Sequence, residues 1–335
     1  MQVFYLDVGQ AESTLLAGPG FTILIDVGDW GRTDVSDHLH RLGVQMIDLL
    51  ILTHPHADHL GQAIDVLKTF EVREVWMSGY EHSTKLFMDV LGAILDSDAD
   101  YYEPRSGEKH DFGELTLEIL NPAAIGRDLH DTNLVIRAVF GEIAFLFTGD
   151  AEKKTEDSML SRASPLRAQI LQLGHHGSRT SSSLNFLLAV RPEVAIYSAG
   201  ATNDYGHPHS EVINRLRILE IPAYGTDVHG TLLVRTDGAQ YDLLKAESGE
   251  TPGKLGSLLS NAPADGRIDL NSASLLDLQR IIHIGPQRAQ EILELRAVRP
   301  LRNVDDLKWV SGLNQRRIAD IKQQGLAYVK GVMED

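Results

Sequence analysis

Thr53-His54-Pro55-His56-Ala57-Asp58-His59 directly follows the apolar run Ile47–Leu52 and precedes a stretch of helical spacing from Leu60 onward. A polar turn at the carboxyl end of a strand is where α/β proteins place chemistry, because side chains converge there without disturbing the core. Three imidazoles and a carboxylate within this turn suit borderline divalent cations such as Zn²⁺ or Mn²⁺. Read without chemistry, it is a surface turn that happens to be rich in His.

The rest of the chain narrows the choice. Its 335 residues exceed one ordinary domain, and a content of 43% hydrophobic and 23% charged residues is that of a globular protein. There is no cysteine, which excludes disulfides, thiolate metal sites and cysteine nucleophiles. Any metal must therefore be held by His, Asp, Glu and carbonyl groups. The first residues, MQVFYLDVGQ, lack a basic segment followed by an apolar one, so no signal peptide is expected. Ile47–Leu52, interrupted by Asp48, is far too short for a membrane span. The expected setting is cytoplasmic, without a membrane partner or organic cofactor.

The net charge of −16 argues at first against a polyanionic partner. It is unevenly spread: residues 265–335 hold 11 Lys/Arg and 10 Asp/Glu, leaving 20 basic and 37 acidic residues in 1–264. An acidic body would repel nucleic acid unless metal ions and a local basic surface offset it.

Short β-branched or alternating runs predict strands at Val3–Val8, Phe21–Asp26, Ile47–Thr53, Val72–Met77, Leu115–Leu120, Leu134–Phe140, Ile143–Thr148, Val194–Ser198, Thr231–Arg235 and Tyr241–Leu244. Helical spacing appears at Leu60–Phe70, Thr84–Leu95, Ser181–Val190 and Glu211–Leu219, so a layered α/β domain is expected over residues 1–246. Residues 247–264, rich in Gly, Ser, Pro and Ala, read as a flexible linker. From 265 to 335 the pattern becomes that of a small all-α domain with turns near Gly285 and Gly312.

The turn H-x-H-x-D-H after a hydrophobic strand resembles the signature of the metallo-β-lactamase superfamily. Further stretches are similar to the ComEC competence-protein branch: Phe4-Tyr5-Leu6-Asp7-Val8-Gly9-Gln10, Leu24-Ile25-Asp26-Val27-Gly28, Phe147-Thr148-Gly149-Asp150, His175-His176-Gly177-Ser178 and Tyr205-Gly206-His207-Pro208-His209. The resemblance implies an αββα sandwich with two divalent ions at one edge. His54 and His56 would bind the first ion, Asp58 and His59 the second, and Asp150 would bridge them. By the spacing in phosphorylcholine esterases of the same branch, His130 would complete the first site and His176 the second, with His175 the alternative to His176. Asp26 would either orient His54 or His59 or simply cap its strand.

Two ions bridged by a carboxylate generate a hydroxide nucleophile at neutral pH and stabilise developing charge, so no amino-acid nucleophile is needed. The reaction class is hydrolysis. His207 is the candidate for protonating a leaving alkoxide or gripping phosphate; the bland alternative is that it packs locally while His209 caps the helix near Glu211. Tyr205 sits beside it, and Ser178, Arg179 and Thr180 could hold phosphate oxygens or form a solvated helix entry.

Asp269-Leu270-Asn271-Ser272-Ala273-Ser274 opens a stretch resembling the helix-hairpin-helix pair of ComEA-like DNA-binding proteins. One hairpin is Ile281-Ile282-His283-Ile284-Gly285-Pro286-Gln287-Arg288-Ala289, the other Val310-Ser311-Gly312-Leu313-Asn314-Gln315-Arg316-Arg317-Ile318. Such glycine turns aim helix N-terminal N–H groups at phosphates without reading bases. Gly285, Arg288, Gly312, Asn314, Arg316 and Arg317 are the candidate DNA contacts, with Lys322 in support. His283 and Asn314 replace glycines of the usual G-x-G, and Asn tolerates a positive φ. The leading expectation is a two-metal nuclease with a DNA tether. The alternatives are a phosphodiesterase for small or cell-wall phosphoesters and a non-catalytic DNA-binding adaptor.

Overall fold

The structure, a computed structural model, describes residues 1–126, 128–246, 267–271, 273, 278, 280–299 and 301–329. The chain forms two compact units, Met1–Pro252 and Gly253–Asp335. The expected linker, 247–264, lies outside the described residues.

The first unit is built on two sheets. The eight-stranded sheet runs, in order, Tyr241–Lys245, Leu232–Thr236, Gln2–Tyr5, Thr14–Gly18, Phe21–Ile25, Leu49–Leu52, Glu74–Met77 and Asp100–Tyr102. The seven-stranded sheet runs Ala223–Gly225, Val194–Tyr197, Ile170–Gln172, Ile143–Phe147, Val135–Phe140, Leu115–Asn121 and Lys109–Phe112. Their inner faces meet where the Tyr5 and Phe147 rings approach to 6.2 Å. Alternation along Ile143–Phe147 divides its side chains between two faces. Ala144 and Leu146 pack with Met159, Phe186, Leu187, Val212 and Leu216 of the covering helices Lys153–Ser161, Leu184–Val190 and Ser210–Ile218. Asp34–Arg41, Ala63–Thr69 and Lys85–Leu95 are the helices that accompany the other sheet, giving the αββα sandwich.

Leu49–Leu52 is buried throughout because it pairs in parallel with Phe21–Ile25 on one side and Glu74–Met77 on the other. The strand expected over Ile47–Thr53 is broken at Asp48, whose carboxylate accepts from the Thr22 N–H and the Arg73 guanidinium, both at 2.8 Å. Met46–Ile47 therefore pairs separately, with Glu71–Val72. The helix expected from Leu60 begins earlier, as a turn over Ala57–Leu60, and resumes only at Ala63. The break arises because the N–H groups of Gly61 and Gln62 bond to the carbonyls of Gly28 and Val27 rather than continuing the helix. Asp58 and His59 are thereby pinned against the Val27–Gly28 loop.

In the second unit, Ile268, Leu270, Ile281, Ile284, Ile292, Leu307, Val310 and Ile321 form the buried core around the helices Pro286–Val298 and Gln315–Gln324. The sequence reads as purely helical here. The structure adds a two-residue parallel ladder, Ile268–Asp269 with Ala327–Tyr328. No helix among the described residues is long and apolar enough to cross a membrane.

One buried group in the sandwich works against stability. The Tyr5 ring is fully buried and its hydroxyl has no hydrogen-bond partner. An orphaned buried hydroxyl carries a desolvation penalty that its removal relieves. Tyr5→Phe is therefore expected to raise unfolding free energy by about 1 kcal/mol in denaturant titration; a loss of that size would show that the hydroxyl has a stabilising partner.

Candidate metal centre and hairpin unit

The parallel strands Ile143–Phe147, Ile170–Gln172 and Val194–Tyr197 are neighbours, so the segments leaving their carboxyl ends converge. Those segments deliver Asp150, the His175-His176 pair, and the loop bearing Tyr205 and His207. Thr53–His59 arrives from the carboxyl end of Leu49–Leu52 in the other sheet. Asp150 is set by Asn133, whose Oδ1 accepts the Asp150 N–H at 3.1 Å while its Nδ2 donates to the Thr148 carbonyl at 2.7 Å. Gly149 lies at φ 47, and a Cβ there would fall 2.3 Å from Asn133 Oδ1, so only glycine allows this clamp.

The two carboxylate oxygens of Asp150 face different donors. Oδ2 lies 3.4 Å from His54 Nε2, 3.9 Å from His56 Nδ1 and 3.6 Å from His175 Nε2. Oδ1 lies 3.2 Å from His59 Nε2 and 3.9 Å from His176 Nε2, and His176 Nε2 is 3.2 Å from Asp58 Oδ2. His130 joins the first group, with its ring 5.3 Å from those of both His56 and His175. His54 with His59 and Asp150, Asp58 with His59 and His176, and His130 with Asp150 and His175 each place their donor atoms within 4.8 Å of one another. The structure thus gathers His54, His56, Asp58, His59, His130, Asp150 and His176 around one point. It adds His175, which the sequence offers only as a substitute for its neighbour.

Several features fit this cluster to divalent cations. His59 Nε2, Asp150 Oδ1 and His130 Nδ1 are buried without a hydrogen-bond partner, a costly arrangement unless a cation satisfies them. Three rings also have their far nitrogen committed. His59 Nδ1 donates to Asp26 Oδ2 at 2.7 Å, His176 Nδ1 to the Ser198 carbonyl at 2.9 Å, and His54 Nδ1 to Thr53 Oγ1 at 3.1 Å. Each Nε2 is left facing the cluster, the orientation that metal-binding imidazoles require. Charge follows the same logic. Burial opposes ionisation of Asp150, but His59 and His54 beside it hold its carboxyl well below the usual carboxylate range. Burial and neighbouring His59 push His54 down to about 4, so that ring is neutral at pH 7.

Asp26 is both an orienting group and a strand-end clamp. Besides His59 it accepts the Thr53 N–H and the Thr53 hydroxyl, each at 2.8 Å. Thr53 in turn accepts from His54, so this one carboxylate orients two of the imidazoles. Glu12, also buried, accepts from Ser198 Oγ at 2.9 Å and backs the His176 side in the same way.

A cavity of about 280 Å³ opens on the cluster, bordered by His56, Asp58, Asp150, His175, His176 and His207, with Gln10 and Tyr205 at its edge. Gln10 Oε1 accepts the Gly200 N–H at 3.0 Å, which turns its Nε2 to donate to His207 Nδ1 at 3.2 Å. His207 therefore carries its proton on Nε2. Burial, with His176 and His175 nearby, lowers its pKa to about 4. The Tyr205 ring stacks on His207 at 5.6 Å and 19°. Ser178, Arg179 and Thr180 are placed otherwise. Ser178 and Thr180 bond each other at 3.0 Å, and Arg179 pairs with Glu211 at 3.5 Å. His209 precedes the helix Ser210–Ile218 without a side-chain cap, its Nδ1 accepting the Arg179 N–H.

The second unit repeats one hairpin twice. Ile281 and Val310 are buried, as are Ile284 and Leu313. His283 and Gly312 take φ 67 and 73, while Gly285 and Asn314 are extended at −87 and −86. The expectation that Asn314 exploits tolerance of positive φ is corrected: it caps its helix, accepting the Arg317 N–H at 3.0 Å. The strained position is His283, whose ring is held by Asp320 at 2.8 Å. Arg288 and Arg317 play the same part in each repeat, donating to the carbonyls of His283 and Gly312 at 2.8 and 2.6 Å. They brace the turns; Lys322 pairs with Asp305, and Arg316 remains exposed.

If Asp26 orients the imidazoles as described, Asp26→Ala weakens metal binding about 10- to 100-fold while the chain still folds. Competition with a chromophoric chelator measures this, and an unchanged affinity would reduce Asp26 to a strand cap.

Residues 6–201 match the Metallo-beta-lactamase superfamily and residues 264–324 the Helix-hairpin-helix motif. The chain is similar to ComE operon protein 3 of Bacillus subtilis, 29% identical over 254 residues that cover 70% of this chain and 33% of that protein. Competence protein ComA of Neisseria gonorrhoeae is 33% identical over 236 residues, 68% of this chain and 31% of that one. Recombination protein 2 of Haemophilus influenzae is 31% identical over 258 residues, 75% and 31% respectively. The chain spans about a third of the length of these curated relatives. With the superfamily match covering more than half of its residues, the chain belongs to the metallo-beta-lactamase superfamily and carries a helix-hairpin-helix motif behind that fold.

Proposed function

We propose that the chain is a two-metal nuclease that hydrolyses DNA phosphodiesters, with the C-terminal unit holding the polymer by its backbone phosphates. The observation that carries this reading is Asp150, a buried carboxylate whose two oxygens face separate sets of imidazole and carboxylate donors. His54, His56, His130 and His175 would hold one ion and Asp58, His59 and His176 the other, Zn²⁺ or Mn²⁺ being suited to this nitrogen and oxygen set. Such ions supply a hydroxide nucleophile and neutralise charge on the phosphoryl oxygens.

The chain's own part is positioning. Asp26, Thr53 and Ser198 fix the rings; the neutral His207 offers Nε2–H to a phosphoryl or leaving oxygen. With its pKa at about 4, His207 grips by hydrogen bonding instead of delivering a proton as an imidazolium at neutral pH. The acidic body, with 37 Asp/Glu against 20 Lys/Arg in residues 1–264, makes a separate tether useful, since tethering raises local DNA concentration without relying on attraction to the body.

Metal-stripped protein given Mn²⁺ or Zn²⁺ should cleave linear and circular DNA, and Asp150→Ala should lose cleavage by at least about 100-fold. His207→Ala should lower turnover by about 100-fold with bound metal unchanged. Because burial and the neighbouring imidazoles already hold the His207 pKa well below neutrality, and bound cations would lower it further, its titration causes no step in activity between about pH 6 and 8. Metal-loaded protein that cleaves small phosphodiesters but no DNA would overturn the nuclease reading.

A further inference from the structure

Trp309 stands out in the C-terminal unit. It ends the short 3-10 helix Val304–Trp309, is 58% exposed, and lies between the buried anchors Leu307 and Val310. Those anchors fix the backbone on either side of it, and most of the indole surface faces solvent. Lys308 Nζ lies over the ring at 5.3 Å from its centroid and Arg299 Cζ at 5.9 Å. Val310, the next residue, begins the second hairpin. An indole left in water forgoes the favourable burial of a large apolar surface.

We propose that Trp309 is a stacking platform for an unpaired nucleobase, with Arg299 and Lys308 reaching the phosphates that flank it, so that the C-terminal unit takes single-stranded DNA. The inference rests on the reading that this unit binds DNA, and adds the strand preference and the residue that sets it. Hairpin N–H groups grip phosphates whether or not the bases are paired. A flat aromatic surface requires a free base face, which a duplex interior withholds and a single strand presents. The cations complement the polyanion where the chain is least acidic: residues 265–335 carry 11 basic and 10 acidic groups. A base stacking on the ring moves these two side chains off it towards the flanking phosphates, whereas an apolar protein partner would displace them with no anion to meet.

The test uses the full chain in the Asp150→Ala background with chelator, so that substrate survives. An oligothymidylate of about 15 nucleotides and a blunt duplex of equal length are titrated against it, reading tryptophan fluorescence and anisotropy. The single strand should quench the fluorescence, and Trp309→Leu should abolish most of that quench. Its single-strand affinity should fall about ten-fold while duplex affinity changes less than about two-fold, and Trp309→Phe should retain most of the binding. The Phe variant keeps the test valid if the Leu variant is poorly folded. Unchanged single-strand affinity in a folded Leu variant, or equal losses on both substrates, overturns the platform and leaves the tether standing. Failure of the parent to bind either DNA overturns the tether itself, and the platform with it.

Discussion

A buried carboxylate surrounded by imidazoles, at the seam of two apolar sheets, is the constraint on which the first unit depends. Asp150, His54, His59 and His176 are each at most 2% exposed. Such groups are tolerated in a protein interior only when nearly every donor and acceptor is matched, because the low dielectric that strengthens a satisfied network also penalises an incomplete one. The structure meets this demand from outside the cluster: Asp26, Thr53 and Ser198 take the far nitrogens, and Asn133 holds the backbone of Asp150. What remains unmatched points inward, where a divalent ion belongs.

The same demand accounts for the strained backbone nearby. Asp26, His175 and His176 all take positive φ, at 58, 52 and 56, although none is glycine. Each such residue costs on the order of 1 kcal/mol and persists because its surroundings over-determine it. For His175 and His176, consecutive left-handed residues let two adjacent side chains both reach Asp150, which a strand or a helix would not permit. Asp26 turns at the end of Phe21–Ile25 so that one carboxylate spans Thr53 and His59.

The fold was legible where strands are long and apolar. Ile143–Phe147 and Val135–Phe140 declare themselves by composition, as does the helix Lys85–Leu95 by its spacing. Asp100–Tyr102 and Ile170–Gln172 do not: three residues hold too little pattern, and the second is recognisable only through its parallel neighbours. The site divides similarly. Thr53–His59 is conspicuous because four donors crowd one turn, whereas Asn133, Gln10 and Ser198 act through single hydrogen bonds to residues far away in sequence. His175 was visible as one of a pair, but only the left-handed turn reveals that both members face the cluster. In the hairpin unit, Arg288 and Arg317 carried a sequence signal for phosphate, and the structure spends it on bracing two equivalent turns.

The proposed function requires Asp150 to stand between two ions. Crystals grown with Mn²⁺ and measured for anomalous scattering test it directly. Two peaks are expected, one on each side of the Asp150 carboxylate, the first among His54, His56, His130 and His175 and the second among Asp58, His59 and His176. A single peak at full loading, or ions bound away from Asp150, would contradict it.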